Sequence, residues 1–101
     1  MSDPELSLIK LSDAIRALVD WDEDLRKAGD FDQADKVWSN IVEMLEFATR
    51  IEARTRTGLK AKIACLFAVE IHENCEHEAV SALRKSIESD RQRFEPDDYA
   101  P

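Results

Sequence analysis

The sequence is poor in turn-forming residues, and this shortage excludes several classes of protein. Among its 101 residues there are only two glycines and three prolines, whereas β-sandwiches and barrels need turn residues at each reversal of the chain. No apolar run approaches the roughly 20 residues that span a bilayer. The N-terminus also lacks the basic and apolar regions of a signal peptide. We therefore expect an all-α protein that does not enter the membrane.

Cysteine is scarce as well, with one thiol at position 65 and one at position 75. If both lie on one helix, about 15 Å of helix separates them, which is beyond the reach of a disulfide. Two unpaired thiols are typical of a reducing compartment. We therefore expect a cytoplasmic protein.

Positive charge is in short supply, and much of it lies in one place. The formal net charge is −8, and residues 1–49 carry five basic and twelve acidic groups. Residues 50–62 reverse this balance, with five basic groups and one acidic group. An acidic surface argues against nucleic-acid binding, which needs clustered lysine and arginine. The basic segment keeps a small anion or an acidic partner possible.

What the sequence does contain is apolar residues at alternating spacings of three and four, the pattern of amphipathic helices. We predict an antiparallel bundle of about four helices, with one domain over residues 1–95 and a disordered tail over 96–101. The most apolar stretch, Thr55 to Asn74, is expected to form the helix that the others pack against. The predicted helices cover roughly residues 4–28, 32–53, 56–74 and 76–94.

Two segments carry a resemblance to known proteins. The first segment, residues 53–62, reads ARTRTGLKAK. The second consists of residues at helical spacings of three and four, namely Leu83, Ser86, Ile87 and Asp90. These segments resemble the patterns Pro-Ala-x-Thr-x-x-Gly-Leu-x-x-Lys and Leu-x-x-Ser-Ile-x-x-Asp of small helical proteins of unknown function from rhizobia and related alphaproteobacteria. The resemblance covers about residues 51–94 and implies an all-helical prokaryotic cytoplasmic protein, with no implied activity. Glu52 stands where those proteins have proline, so the second helix is expected to run further here.

The basic segment is the first candidate site. Arg50 and Arg54 are four residues apart, and a helix that starts at Thr55 would direct free backbone amides of residues 56–58 the same way. Such a helix start attracts anions. The alternative is that these charges, with Lys62, only solvate the surface and pair with nearby acids. The candidate anion- or partner-binding residues are Arg50, Arg54, Thr55, Arg56, Gly58 and Lys60.

The segment HENCEHE, residues 72–78, is the second candidate. Its histidines are five residues apart, whereas a metalloprotease helix places two histidines four residues apart on one face. His72, Cys75 and Glu76 do share a face, and could hold zinc if another segment supplied a fourth ligand. A junction between two helices is the simpler interpretation, because a metal site needs several convergent ligands. We therefore predict no metal and no cofactor.

The apolar stripe of the first helix suggests self-association. Its residues could form a seam with a second copy of the chain, and the seam residues are Leu8, Leu11, Ile15 and Leu18. The favoured hypothesis is a non-enzymatic, homodimeric protein–protein interaction domain with a protein partner. The alternative is an anion- or small-ligand-binding regulatory protein that uses the basic segment 50–62. A metal-dependent enzyme ranks third.

Overall fold

The computed structural model describes residues 4–70 and 77–98, and these residues form four α-helices without a strand. The prediction of an all-α four-helix bundle is confirmed. The helices are α1 (Pro4–Lys27), α2 (Phe31–Arg50), α3 (Arg56–Glu70) and α4 (Glu78–Asp98).

Two helix boundaries differ from the prediction. α2 ends at Arg50, because Ile51 adopts an extended conformation with φ −84° and ψ 121°. The expectation that Glu52 would let this helix continue to residue 53 was therefore wrong. α4 runs to Asp98, four residues beyond the predicted end. Residues 96–98 of the predicted disordered tail are therefore helical, and that part of the prediction was wrong. Residues 99–101 lie outside the described ranges, so disorder there stays a prediction.

The turn between α1 and α2 follows from local sequence. Gly29 has φ +82°, a conformation that glycine adopts without strain and that commonly ends a helix. The amide of Asp30 donates to the carbonyl of Leu25 across this turn (2.9 Å). Its carboxylate then caps α2 by accepting from the amide of Gln33 (3.3 Å). The short turn makes α1 and α2 an antiparallel hairpin.

The second hairpin lies beside the first in a specific order. α1 packs against α2 and α3, and α4 packs against the same two helices, while α2 and α3 barely meet across the bundle. The starts of α1 and α3 adjoin at Glu5 and Thr55, so these helices run parallel. The two helices within each hairpin are therefore antiparallel. The neighbouring helices of different hairpins, α1 with α3 and α2 with α4, are parallel. α3 is thus one of four helices around a shared core. The prediction that the other helices pack around α3 was wrong.

The bundle encloses one apolar core to which all four helices contribute. Burying these side chains is the main stabilising term, at roughly 25 cal/mol per Å² of apolar surface. Among the residues that the structure describes, three charged side chains are also buried, namely Asp22, Lys62 and Asp90. Burial of charge is costly unless each group is paired. Fully buried core residues (1% exposed or less) include Leu8, Ile15, Val37, Ile41, Leu45, Cys65, Val69, Val80 and Leu83.

Candidate functional site

The basic segment occupies the end of α2, the link of residues 51–55 and the start of α3. The side chains of Arg50, Arg54, Arg56 and Lys60 are all exposed, as a surface patch requires. Lys62 does not belong with them, because it is fully buried. Its inclusion among the solvating surface charges was wrong.

The start of α3 is capped from within the chain. The helix begins at Arg56 as predicted, and the amide of Gly58 donates to the hydroxyl of Thr55 (3.0 Å). That hydroxyl donates in turn to the carboxylate of Glu5 (2.8 Å). The Gly58 amide is therefore already bonded, contrary to the expectation of free amides. Glu5 also places a negative charge where an anion would have to bind.

Gly58 lies where α1 and α3 approach closely. A Cβ at this position would come within 3.2 Å of the Thr55 hydroxyl, 3.6 Å of Leu8 and 3.8 Å of the Glu5 backbone. A contact of 3.2 Å is tight, so the absence of a side chain lets the two helices and the cap share this space. The residue thus has a packing role here.

Lys62 is the centre of a buried polar network at the same end of the bundle. Its ammonium donates to the carboxylate of Asp90 (2.6 Å), the hydroxyl of Ser86 (2.6 Å) and the carbonyl of Ile51 (2.7 Å). All three donor positions of an ammonium group are thereby used. The Asp90 carboxylate also accepts from the amide of Ala53 (3.2 Å). The network ties the α2–α3 link to both α3 and α4.

Two further contacts attach the end of α2 and the link to α4. The hydroxyl of Ser86 donates to the carbonyl of Thr49 (2.9 Å), and Arg93 forms an ion pair with Glu52. Backbone groups that leave a helix must find partners when they are buried. Here Lys62, Ser86 and Asp90 supply them, which explains why α2 can end at Arg50.

The network also joins the two segments that carry the family resemblance. Ala53 and Lys62 belong to the first segment, and Ser86 and Asp90 belong to the second. Their spacing of four on α4 places the serine and the aspartate on one face. Sequence reasoning missed the contact, although a lysine directly before the apolar run of α3 and a Ser-x-x-x-Asp pair on α4 were both visible. The arrangement explains these residues by folding and not by chemistry on a ligand.

The predicted dimer seam divides into two sets. Leu8 and Ile15 are fully buried within the single chain, and Leu11 and Leu18 are only partly buried. The first pair was therefore wrongly assigned to an interface, because both side chains are already fully buried in the core of one chain. The second pair borders the outer surface of the α1–α2 hairpin.

Two large aromatic residues extend that outer surface. Trp21 is 46% exposed and Phe47 is 57% exposed. Trp21 lies nine residues, about two and a half turns, after Ser12, whose side chain hydrogen-bonds Cys65 of α3. Trp21 therefore projects from the side of α1 that faces away from α3.

Phe47 has the equivalent place on α2. It lies nine residues after Trp38, which packs edge-on against His77 beside α4 with ring centroids 6.0 Å apart. Phe47 therefore projects away from α4. We call the resulting outer surface of the hairpin the α1–α2 face, formed by Leu11, Leu18, Trp21, Met44 and Phe47.

The opposite hairpin has an outer groove of a different character. Its cavity measures about 400 Å³. Leu66 of α3 and Ile87 of α4 are its apolar lining residues, and the remaining lining side chains come from α4 and are polar or charged. We call it the α3–α4 groove, lined by Leu66, Ser81, Arg84, Lys85, Ile87, Glu88 and Arg91.

The second sequence candidate lies outside the described residues. His72, Cys75 and Glu76 all fall within 71–76, so the zinc hypothesis stays untested. In the described ranges, no group of three histidine, cysteine, aspartate or glutamate side chains is close enough to hold a metal ion. No helix in those ranges is both long and apolar enough to span a bilayer.

Comparisons with protein-family models, curated proteins and solved structures found no match to this chain. The resemblance to the alphaproteobacterial proteins therefore stays a prediction.

Proposed function

We propose that this chain is a non-enzymatic protein–protein interaction domain that pairs with a second copy of itself through the α1–α2 face. The observation that supports the proposal is the exposure of Trp21 and Phe47 on one side of a single hairpin. Aromatic side chains are enriched at the centres of protein interfaces, where their burial contributes strongly to affinity. Leu11 and Leu18, partly exposed between them, extend the apolar surface.

A second copy is favoured as the occupant because the borders of this face carry both signs of charge. Lys10 lies three turns before Trp21, and Lys36 lies three turns before Phe47, so each lysine shares a side with its aromatic residue. Glu43, one turn before Phe47, adds negative charge, and all three charged side chains are exposed. A two-fold axis can therefore place lysine of one copy near glutamate of the other.

The basic segment supports the alternative, an anion-binding regulator, less well. Four exposed cations surround the start of α3, but the helix cap is completed by Thr55 and Glu5. An incoming anion would have to displace or approach the Glu5 carboxylate. A cytoplasmic location is part of the proposal, supported by the buried thiol of Cys65, which is in no disulfide.

Light scattering coupled to size exclusion tests self-association. We expect a mass of twice 11.6 kDa, and a shift to the single-chain mass when Trp21→Ser and Phe47→Ser are combined. Phe31→Ser is the matched control, because Phe31 is similarly exposed (58%) but lies on a different side of α2. It is five turns before Thr49, whose carbonyl accepts from Ser86 of α4, so it lies on the α4 side. This control should remain a dimer. A wild-type monomer, or equal effects of the two variants, would overturn the proposed pairing.

A further inference from the structure

The α3–α4 groove is a second exposed surface, and its chemistry differs from that of the α1–α2 face. Leu66 and Ile87, 7% and 5% exposed, are its apolar residues and also belong to the core. Phe67, the next residue on α3, is 61% exposed. Ile63 lies one turn before them and is partly exposed. The apolar surface of the groove therefore continues along α3 beyond the cavity itself.

The α4 border of the groove is rich in positive charge. Arg84 and Arg91 lie seven residues apart, which places them on one face about 10.5 Å apart along the helix. Lys85 adds a third cation, and Glu88 between the arginines is the one acidic lining residue. Arg84 is also within 3.7 Å of Glu70, a partly exposed pair that screening makes weak. The groove lining is thus net positive on a chain with net charge −8.

The net positive charge of the groove favours an acidic partner. Two identical grooves would bring like charges together, so a second copy is disfavoured as the occupant. A helix of another protein can present apolar and acidic side chains at the spacing of these groove residues. Its apolar side chains would pack on Leu66 and Phe67, and carboxylates seven residues apart would lie beside Arg84 and Arg91.

We propose that the α3–α4 groove binds an acidic amphipathic helix of a partner protein. The inference rests on the proposed function in so far as the chain is an interaction domain, but it uses the opposite hairpin. Arginine supplies the charge-assisted hydrogen bonds to carboxylate. The apolar lining supplies the burial that charge pairs at an exposed surface do not provide.

The test uses a fluorescein-labelled helical peptide of about 18 residues, which is about five turns of α-helix. It carries leucines at i, i+3 and i+7 and two glutamates seven residues apart on the flank. A second peptide has glutamine in place of both glutamates. We expect fluorescence anisotropy of the full chain to show binding of the acidic peptide at least about 10-fold tighter than that of the neutral one.

Variants of the groove locate the binding site. Arg84→Glu combined with Arg91→Glu should weaken binding of the acidic peptide at least about 10-fold, and Phe67→Ser should weaken both peptides. Lys27→Glu is the matched control, because it changes an exposed cation on α1. Circular dichroism checks that each variant keeps its helical content. Loss of binding in the groove variants, with none in the control, supports the proposal.

Three results would overturn it: no binding of the acidic peptide, equal binding of the neutral peptide, or equal loss in the Lys27→Glu control. These outcomes are separable from failure of the dimer proposal. Self-association is measured by mass without peptide, and it depends on Trp21 and Phe47. A monomer that binds the acidic peptide would refute the pairing and leave the groove proposal standing.

Discussion

The two hairpins of this bundle are held in place by different kinds of contact. The α1–α2 hairpin is closed by neighbours in sequence: Gly29 makes the turn, Asp30 caps α2, and Arg26 bonds Asp22 one turn away (3.0 Å). At the other end of the bundle, the α2–α3 link and the α3–α4 hairpin are joined by Lys62 and Asp90, which are 28 residues apart.

The first hairpin is thus specified by residues close in sequence, and the second by contacts between residues far apart in sequence. A turn needs only the right residues within a few positions, so it can form before the bundle is complete. The Lys62 network has partners on the link, α3 and α4, so it exists only when all three are assembled. Complete hydrogen bonding offsets the free-energy cost of burying the charges of Lys62 and Asp90. We therefore expect the network to specify how the second hairpin docks on the first.

The two outer surfaces follow the same division between hairpins. The α1–α2 face is aromatic with mixed charge at its borders, whereas the α3–α4 groove combines an apolar lining with a net positive border. The proposed self-association and the proposed binding of a partner helix therefore use different surfaces. Substitutions on one hairpin should therefore leave the other surface intact.

The largest effect is expected from breaking the network. Lys62→Met should lower the free energy of unfolding by about 3–5 kcal/mol, because it leaves the Asp90 carboxylate buried without its cation. Urea unfolding measures the change. Lys60→Met is the control, since Lys60 is exposed two residues away, and it should change stability by less than about 0.5 kcal/mol.

A double variant sharpens this result. Adding Asp90→Leu to Lys62→Met removes the unpaired charge, so part of the stability should return. Full recovery is not expected, because the Ala53 amide loses its acceptor. If Lys62→Met were no more harmful than Lys60→Met, the network would not hold the second hairpin.

A smaller effect is expected at the turn of the first hairpin. Gly29→Ala should cost about 1 kcal/mol, because alanine is strained at φ +82°. Apart from its chain neighbours, no atom of the described residues lies within 4 Å of the position a Cβ would take, so the cost is conformational. Gly29→Asn should cost less, since asparagine tolerates this region. Equal unfolding midpoints for alanine and glycine would contradict this explanation of the turn.

The smallest structural effect concerns Cys65, which lies in the core between the hairpins. Burial raises the pKa of its thiol from 9.0 to about 12, although hydrogen bonding and the Lys62 charge act in the opposite direction. The folded protein should therefore resist alkylation at pH 8, whereas urea-unfolded protein should react. A Cys75→Ser background leaves one thiol to follow by mass spectrometry. Rapid labelling under folding conditions would show that the core opens readily.

The same pKa predicts the pH dependence of stability with a definite sign. Between pH 9.0 and about 12 the unfolded thiol loses its proton while the folded thiol keeps it. The contribution of Cys65 is therefore fully present below pH 9.0 and declines as the pH rises through this window. Cys65→Ala should remove this part of the alkaline decline in urea unfolding.

Much of the fold was determined by the sequence alone, because amphipathic spacing and turn chemistry act over a few residues. The spacing predicted four helices, and the local conformations of Gly29 and Asp30 account for the first hairpin turn. The start of α3 after Thr55 was predicted by the same local reasoning. These features depend on backbone conformation and short-range capping, which neighbouring residues decide.

The tertiary structure alone decided which polar groups are internal and which apolar groups remain at the surface. Lys62 looked like one more cation of a basic patch until the packing of α4 brought Ser86 and Asp90 to it. Leu8 and Leu11 looked equivalent on one stripe, yet Leu8 is fully buried beside Gly58 of α3 while Leu11 is only partly buried. Helical spacing states which side chains share a face, but burial depends on which helix lies opposite, and that requires contacts between residues far apart in sequence.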